Sequence, residues 1–317
     1  MSPGSKNSSS AEEQLRLGAR SSNLWLRARI IQSIRRFFIE QGYLEIETPH
    51  LIPAPAPEVN IDAMSAGTGF LHTSPELCMK RLLAAGYSKI FQICRSFRDR
   101  ERGDLHLPEF TLLEWYRTGI DYVELMEECE EMILFVTRDL GMEEKIEYGG
   151  REIDLKRPWN RISVKEAFEH YAPISMEKAL ESERFDEIMV NEIEPRLATF
   201  KPTFLYDYPA AFAALARLRE NEPDLAERFE LYVGGLEMAN AFSELTDALE
   251  QEIRFKKERH KRQQLGKTVY PMPEKFLHAL QHMPPSAGIA LGVDRLIMLF
   301  ANQGTIDNVV SFTPEEL

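Results

Sequence analysis

Two strand-like runs, Ile90 to Phe97 and Phe110 to Tyr116, flank a charged loop, Arg98-Asp99-Arg100-Glu101-Arg102-Gly103-Asp104, and this arrangement constrains the fold more than any other stretch of the chain. Strands joined without an intervening helix pair antiparallel, because a parallel pair needs a crossover of a dozen or more residues. The period of two puts Phe110, Leu112, Glu114 and Tyr116 on one face of the second strand. A carboxylate and a phenol thus point where an aromatic ring also points, and the connecting loop is long enough to carry function on a rigid scaffold.

The remaining elements fit around such a hairpin. Apolar residues recur at helical spacing from Leu26 to Phe38, with Ser22 or Asn23 expected to cap the helix and Gly42 to end it. Tyr43 to Thr48 alternates like a strand, with Leu44 and Ile46 on one face, and stops at Pro49. Asp121 and Glu124 form a capping-box pattern opening a helix to about Leu140. Gly149-Gly150 separates two short strands as a hairpin turn. Residues 163–228 read as a helical insertion punctuated by prolines. Strand character returns from Phe229 to Leu245, with a bulge expected at Gly234-Gly235, and Asn240, Phe242 and Glu244 then share a face. Asp247 with Glu250 can cap a basic helix carrying Arg254, Lys256, Lys257, Arg259, Lys261 and Arg262, which reads equally as a face for a protein partner or as a solvated face balanced by nearby acids. The chain closes with a glycine-spaced strand, Gly288 to Gly292, running into an apolar helix. Alternating βαβ units are absent, so the expected fold class is α+β, an antiparallel sheet flanked by helices. Residues 1–22 are expected to be a flexible segment, since they have no sustained apolar period, and residues 23–317 a single domain.

The composition narrows the function. With 317 residues and 44% hydrophobic residues the chain can bury a substantial core, and its formal net charge of −13 disfavours tRNA or any extended phosphate backbone as partner. No uninterrupted apolar run of about 18 residues and no signal peptide is present, which points to a cytoplasmic protein and to no membrane partner. Cys78, Cys94 and Cys129 lack the spacing of a disulfide framework or a cysteine zinc site. No P-loop, dinucleotide fingerprint, zinc-protease or serine-hydrolase pattern occurs. What remains is a set of arginines and glutamates on strands.

At those residues the chain resembles the catalytic domain of the class II aminoacyl-tRNA synthetases, lysine subgroup. The first helix and the strand ending at Pro49 resemble the first class II motif. Phe97-Arg98 through Pro108-Glu109-Phe110 resembles the second, and Gly288 through Arg295 the third. His72-Thr73-Ser74-Pro75-Glu76 and Gly235 to Asp247 resemble signatures of the lysine subgroup. The resemblance implies activation of an amino acid by ATP with Mg²⁺, and a homodimer built on the first motif. It implies Arg98 and Arg295 as catalytic arginines and Glu230 and Glu237 as metal carboxylates. Asp99, Arg100, His106, Leu107, Phe110, Glu237, Met238 and Gly292 fall where that family contacts ATP. Ser74, Pro75, Glu76, Glu114, Tyr116, Asn240, Phe242, Glu244 and Ala290 fall where it holds the amino acid. Glu114 and Glu244 would take a side-chain ammonium, which needs buried negative partners, and Glu76 the other amino group.

The pattern departs from the synthetases in three places. Only about 22 residues precede the first motif, so the anticodon-binding barrel is expected to be missing. Ala290 stands where the synthetase pattern has Gly, and its methyl narrows the pocket beside the substrate carboxylate. Asp99-Arg100 and Leu107 replace common motif residues. The first two departures resemble the elongation factor P (R)-β-lysine ligases, and imply β-lysine or lysine as substrate and elongation factor P as acceptor. A truncated lysyl-tRNA synthetase and a silent synthetase-like binding module are the alternative readings.

Overall fold

The computed structural model describes residues 13–317. Part of the flexible segment expected at residues 1–22 therefore lies outside the described residues. Residues 13–19 are helical (α1). The order comes from outside the segment: Arg20 is buried and makes two 2.8 Å hydrogen bonds to the Glu316 carboxylate.

Helix α2 spans Ser21–Glu40 and buries Ile30, Ile34, Phe37 and Phe38. Ser22 and Asn23 lie inside its first turn instead of capping it, and Asn23 donates its side-chain amide to the Asn308 carbonyl at 3.0 Å. Gly42 leaves the helix at φ +75, the left-handed region glycine tolerates. Strand β1 is only Leu44–Glu45, and Leu44 is 49% exposed instead of facing the core. Then come β2 (Leu51–Ile52), β3 (Ser65–Ala66), β4 (Gly69–Leu71), α3 (Glu76–Ala84), β5 (Lys89–Phe97) and β6 (Glu109–Thr118). The last two form the expected hairpin, in register from Phe97 opposite Glu109 to Lys89 opposite Arg117. Helix α4 (Tyr122–Asp139) starts at the Asp121/Glu124 capping box. Strands β7 (Lys145–Tyr148) and β8 (Arg151–Asp154) turn at Gly149-Gly150.

The segment read as a helical insertion is only partly so. After β9 (Asn160–Ser163), helices α5 (Val164–Tyr171), α6 (Met176–Glu181) and α7 (Phe185–Ile188) pack a small second core together with Leu205, Tyr208 and Tyr232. From Thr203 the chain rejoins the main sheet as β10 (Thr203–Pro209), where Phe204 and Leu205 are fully buried. Proline punctuation hides this strand because Pro209 sits at its very end. Strands β11 (Leu225–Val233) and β12 (Leu236–Ser243) follow, then α8 (Ala248–Gln264), α9 (Glu274–Leu280), β13 (Ser286–Gly292) and α10 (Val293–Phe300).

Eight strands form one sheet in the order β1-β5-β6-β13-β12-β11-β10-β9. The six central strands pair antiparallel, whereas β1 on β5 and β9 on β10 pair parallel, so the sheet is mixed at its edges. Leu113, Trp115, Ile289, Leu291, Ala239 and Ala241 point to one face and bury against α2, α4 and α10. The alternate residues Glu114, Tyr116, Gly288, Ala290, Asn240 and Phe242 point to the other face.

One buried node ties α2, β6 and α10 together. Arg27 donates to Asp294 Oδ1 (2.5 Å) and Thr111 Oγ1 (2.6 Å), while Asp294 Oδ2 accepts the Thr111 backbone N–H at 2.7 Å. Asp294→Asn leaves Arg27 buried against a neutral partner and is expected to cost about 3 kcal/mol or more. Chemical denaturation reads this directly, and a loss below about 1 kcal/mol would mean that the node carries little stability.

Candidate functional site

Register places the polar residues of the open face in cross-strand rows. Gln92 on β5, Glu114 on β6, Ala290 on β13 and Asn240 on β12 stand side by side, and Tyr116, Gly288 and Phe242 form the next row. The small residues of β13 leave the hollow. A Cβ at Gly288 would lie 2.2 Å from the Tyr116 ring and 2.5 Å from Glu244 Oε1, so only glycine fits.

Glu114 is fixed at both oxygens. Ser74 donates to one at 2.5 Å and the Tyr116 hydroxyl to the other at 2.7 Å. Ser74 Oγ also accepts the Glu76 backbone N–H at 3.0 Å, and the buried Pro75 starts α3, which brings Glu76 to the pocket. Burial pushes the Glu114 carboxyl up to about 8, with the Glu76 charge adding to the shift. Burial likewise pushes Glu244 up to about 8 although Lys80 pulls the other way. Glu244 is fully buried, and its Oε1 has no hydrogen-bond partner among the described residues. A buried carboxylate oxygen without a donor is an acceptor waiting for one.

The nucleotide-side residues gather at the other end of the hollow. The Arg98 guanidinium lies 5.0 Å from the Phe110 ring centroid and 3.7 Å from Glu101, and its Nε has no partner among the described residues. Arg295 donates to the Glu237 carbonyl at 2.6 Å and to His106 Nε2 at 2.7 Å. Burial, then the neighbouring Arg295, holds His106 below the usual imidazole range, so its ring can stay neutral and accept that bond. Gly292 lies opposite Leu112 at the end of β13, with no side chain between backbone and hollow.

Several expected contacts do not converge. Met238 is 1% exposed and packs in the main core, as does Leu107, so neither side chain faces the hollow. Arg100, at φ +62, turns its side chain outward with Asp99 beside it at 3.3 Å. On α8, Arg262 is fully buried and donates to the Thr268, Glu58 and Ile61 carbonyls, to Asp62 and to Tyr270. Arg254 and Arg259 also bond backbone carbonyls. These three arginines brace the molecule, so they are not available to either surface reading of this helix.

Glu230 and Glu237 do converge, by a device different from the one expected. Gly234-Gly235 is the hairpin turn itself, and the register slips further in, between Leu231 and Tyr232, leaving Met238 as the extra residue. That slip puts Tyr232 opposite Glu237 and Glu230 opposite Asn240, so both carboxylates face the hollow. Glu230 is held by Arg228 and the Tyr232 hydroxyl, each at 2.7 Å. Burial raises its pKa against the pull of Arg228, and the nearby Glu237 raises it further. No group of three or more His, Cys, Asp or Glu is arranged as a metal cluster among the described residues. Two carboxylates of like charge nonetheless fit Mg²⁺, which commonly takes one or two from the protein and the rest from phosphates and water.

Several site residues were not anticipated: Gly288 as a steric requirement, Gln92 in the Glu114 row, Arg228 on Glu230, and Lys80. The half-buried Glu194 is another, pushed up to about 7 by burial and then by Glu230 and Glu237. Lys80 had a visible signal, its i+4 spacing from Glu76 on a helix.

The model of the class II tRNA synthetases (D, K and N) matches residues 13–316. The chain belongs to that family. Among its class II relatives is the elongation factor P–(R)-β-lysine ligase of Histophilus somni (strain 2336), 41% identical over 96% of this chain and 98% of that protein. Proteins of the same name from Pectobacterium carotovorum subsp. carotovorum (strain PC1) and Salmonella gallinarum (strain 287/91 / NCTC 13346) are 40% and 38% identical, each over 92% of this chain and at least 94% of their own. The class II segments named above therefore lie within aligned family sequence, and no described helix is long and apolar enough to cross a membrane.

Proposed function

We propose that this chain activates (R)-β-lysine with ATP as an aminoacyl-adenylate and transfers the β-lysyl group to a lysine side chain of elongation factor P. The observation that carries the reading is the cluster of Glu76, Glu114 and Glu244 around Lys80 and Tyr116, with Ala290 set between Glu114 and Asn240.

The substrate carboxylate attacks the α-phosphorus, the bond to the β-phosphate oxygen breaks, and pyrophosphate leaves. Both reactants are anions, so fixed positive charge must stand between them. Arg98, stacked on Phe110, has the guanidinium fork to hold carboxylate and α-phosphate together. Arg295, held by Glu237 and His106, would take the terminal phosphates, and Phe110 would stack on the adenine. Glu230 and Glu237 would hold Mg²⁺, which supplies charge neutralisation on the phosphates when bound. In the second step the neutral amine of the acceptor lysine attacks the acyl carbon, AMP leaves, and the amine's surplus proton passes to solvent or to AMP.

Incubating the enzyme with ATP, labelled (R)-β-lysine and purified elongation factor P is expected to add one β-lysyl mass to the factor. Labelled tRNA with an unmodified factor would contradict the proposal. Ala290→Gly is expected to widen the space beside Asn240 and raise the α-lysine over β-lysine ratio of kcat/KM about tenfold, the scale of one methyl in a pocket. An unchanged ratio in pyrophosphate exchange would remove Ala290 as the discriminator.

The reading includes a cytoplasmic homodimer. Trp25, Ile39, Leu44 and Leu51 are large, exposed and confined to α2 and the two short strands after it, a stretch suited to covering by a second copy.

A further inference from the structure

Lys80 is 2% exposed, and its ammonium group lies 2.5 Å from Glu76, in ion-pair contact with Glu244, and 5.0 Å from the Phe242 ring centroid. It therefore stands between carboxylates assigned above to the two amino groups of the substrate. From β6 the pocket receives Glu114 and the Tyr116 hydroxyl. Helix α9 packs on α3 with the apolar Phe276, Leu277 and Leu280, and Glu58 adds its charge near Glu76. Burial alone would push the Lys80 ammonium towards neutrality, but Glu244 and Glu76 outweigh burial and hold it above the ordinary lysine range.

We propose that Lys80 determines substrate specificity by charge matching: its fixed ammonium cancels one of the three pocket carboxylates and leaves two to be neutralised by the two ammonium groups of a diamino acid. The inference rests on the proposed diamino-acid reading and adds to it a residue outside the set predicted from sequence. Burial disfavours an uncompensated carboxylate and so favours its protonated form. Two of the three, Glu114 and Glu244, are pushed up to about 8. An incoming ammonium group displaces each of those protons. A substrate with one ammonium group leaves a carboxyl protonated and its site half used, so it binds more weakly whatever its shape. Because Lys80, among the described residues, pairs with Glu76 and Glu244 and not with the residues proposed for the phosphates, it acts on substrate affinity and not on the adenylation step.

The test uses the full chain in pyrophosphate exchange, comparing wild type, Lys80→Met and Lys80→Arg with (R)-β-lysine from pH 6 to 9. Lys80→Met is expected to raise KM at least tenfold at pH 7, keep kcat within threefold, and move the acidic limb of kcat/KM up by about one pH unit or more, since the carboxyls lose their cation. Lys80→Arg is expected to return the limb towards its wild-type position. A folded Lys80→Met with unmoved KM and limb, or with lower kcat and an unmoved limb, would overturn the proposal.

Calorimetry on the wild-type chain in two buffers at pH 7 tests it even where the variants do not fold. (R)-β-lysine is expected to release about one proton more than 6-aminohexanoate, which carries a single ammonium group, and equal counts would overturn the proposal. Absence of exchange by the wild type with any diamino acid would instead refute the underlying reading, so the two failures are distinct.

Discussion

Gly288→Ala is expected to lower kcat/KM for the amino acid on the order of 100-fold or more, a transition-state loss of about 2.7 kcal/mol. The added methyl would sit 2.2 and 2.3 Å from two Tyr116 ring carbons and 2.5 Å from Glu244 Oε1, well inside van der Waals contact. Neither neighbour can yield cheaply. Tyr116 is buried and donates its hydroxyl to Glu114 at 2.7 Å, and Glu244 is enclosed beside Lys80. Moving the ring breaks the hydrogen bond that orients Glu114, and moving the carboxylate breaks an ion pair, so both proposed ammonium acceptors are lost together. Overpacking of this kind also costs about 1 to 3 kcal/mol of stability. Exchange assays at several lysine concentrations, with a thermal melt alongside, separate the two effects. Activity within threefold of wild type would show that the hollow is not the amino-acid pocket.

Arg98→Ala is expected to lower pyrophosphate exchange by on the order of 10²-fold or more with little loss of stability. Removing one preorganised charge from a phosphoryl or acyl transition state commonly costs that much. The side chain is partly exposed and, among the described residues, makes a stacking contact with Phe110 and a long ion pair to Glu101, so the folded core does not depend on it. Loss of kcat at saturating ATP and amino acid, with an unchanged melting temperature, is the expected pattern. A variant that keeps kcat and only raises KM would place Arg98 in binding alone.

The parts of this fold legible in the sequence are those set by local chemistry. The Asp121/Glu124 capping box, the Gly149-Gly150 turn and the β5–β6 hairpin each depend on residues a few positions apart, or on strand periodicity across one loop. The parts missed depend on distant residues. Leu44 looks like a core residue by alternation, but β1 is a two-residue edge strand on which Leu44 is left 49% exposed. The slip at Met238 carries no glycine or proline to announce it, because it is set by how β12 meets both β11 and β13. Arg262 and Arg254 read as a basic surface, yet their donors are consumed by carbonyls that only tertiary folding brings near.

The candidate site shows the same division. Glu114, Tyr116, Asn240 and Phe242 follow from strand parity, and register places them in adjacent rows. The i+4 spacing from Glu76 marks Lys80 as an ion-pair partner but not as a buried one, and Gln92 carries no signal, because a lysine on a helix and a glutamine on a strand are ordinarily solvent-facing. Their burial reflects neighbours more than 20 residues away, such as Glu244 for Lys80 and Glu114 for Gln92.

The central claim is that this pocket selects and activates a β-amino acid bearing two ammonium groups. Pyrophosphate exchange with (R)-β-lysine and α-lysine, measured side by side on the purified chain, tests it most directly. The account predicts ATP-dependent exchange with both and a kcat/KM for (R)-β-lysine at least tenfold the higher. Preference for α-lysine, or no exchange with either, would contradict it.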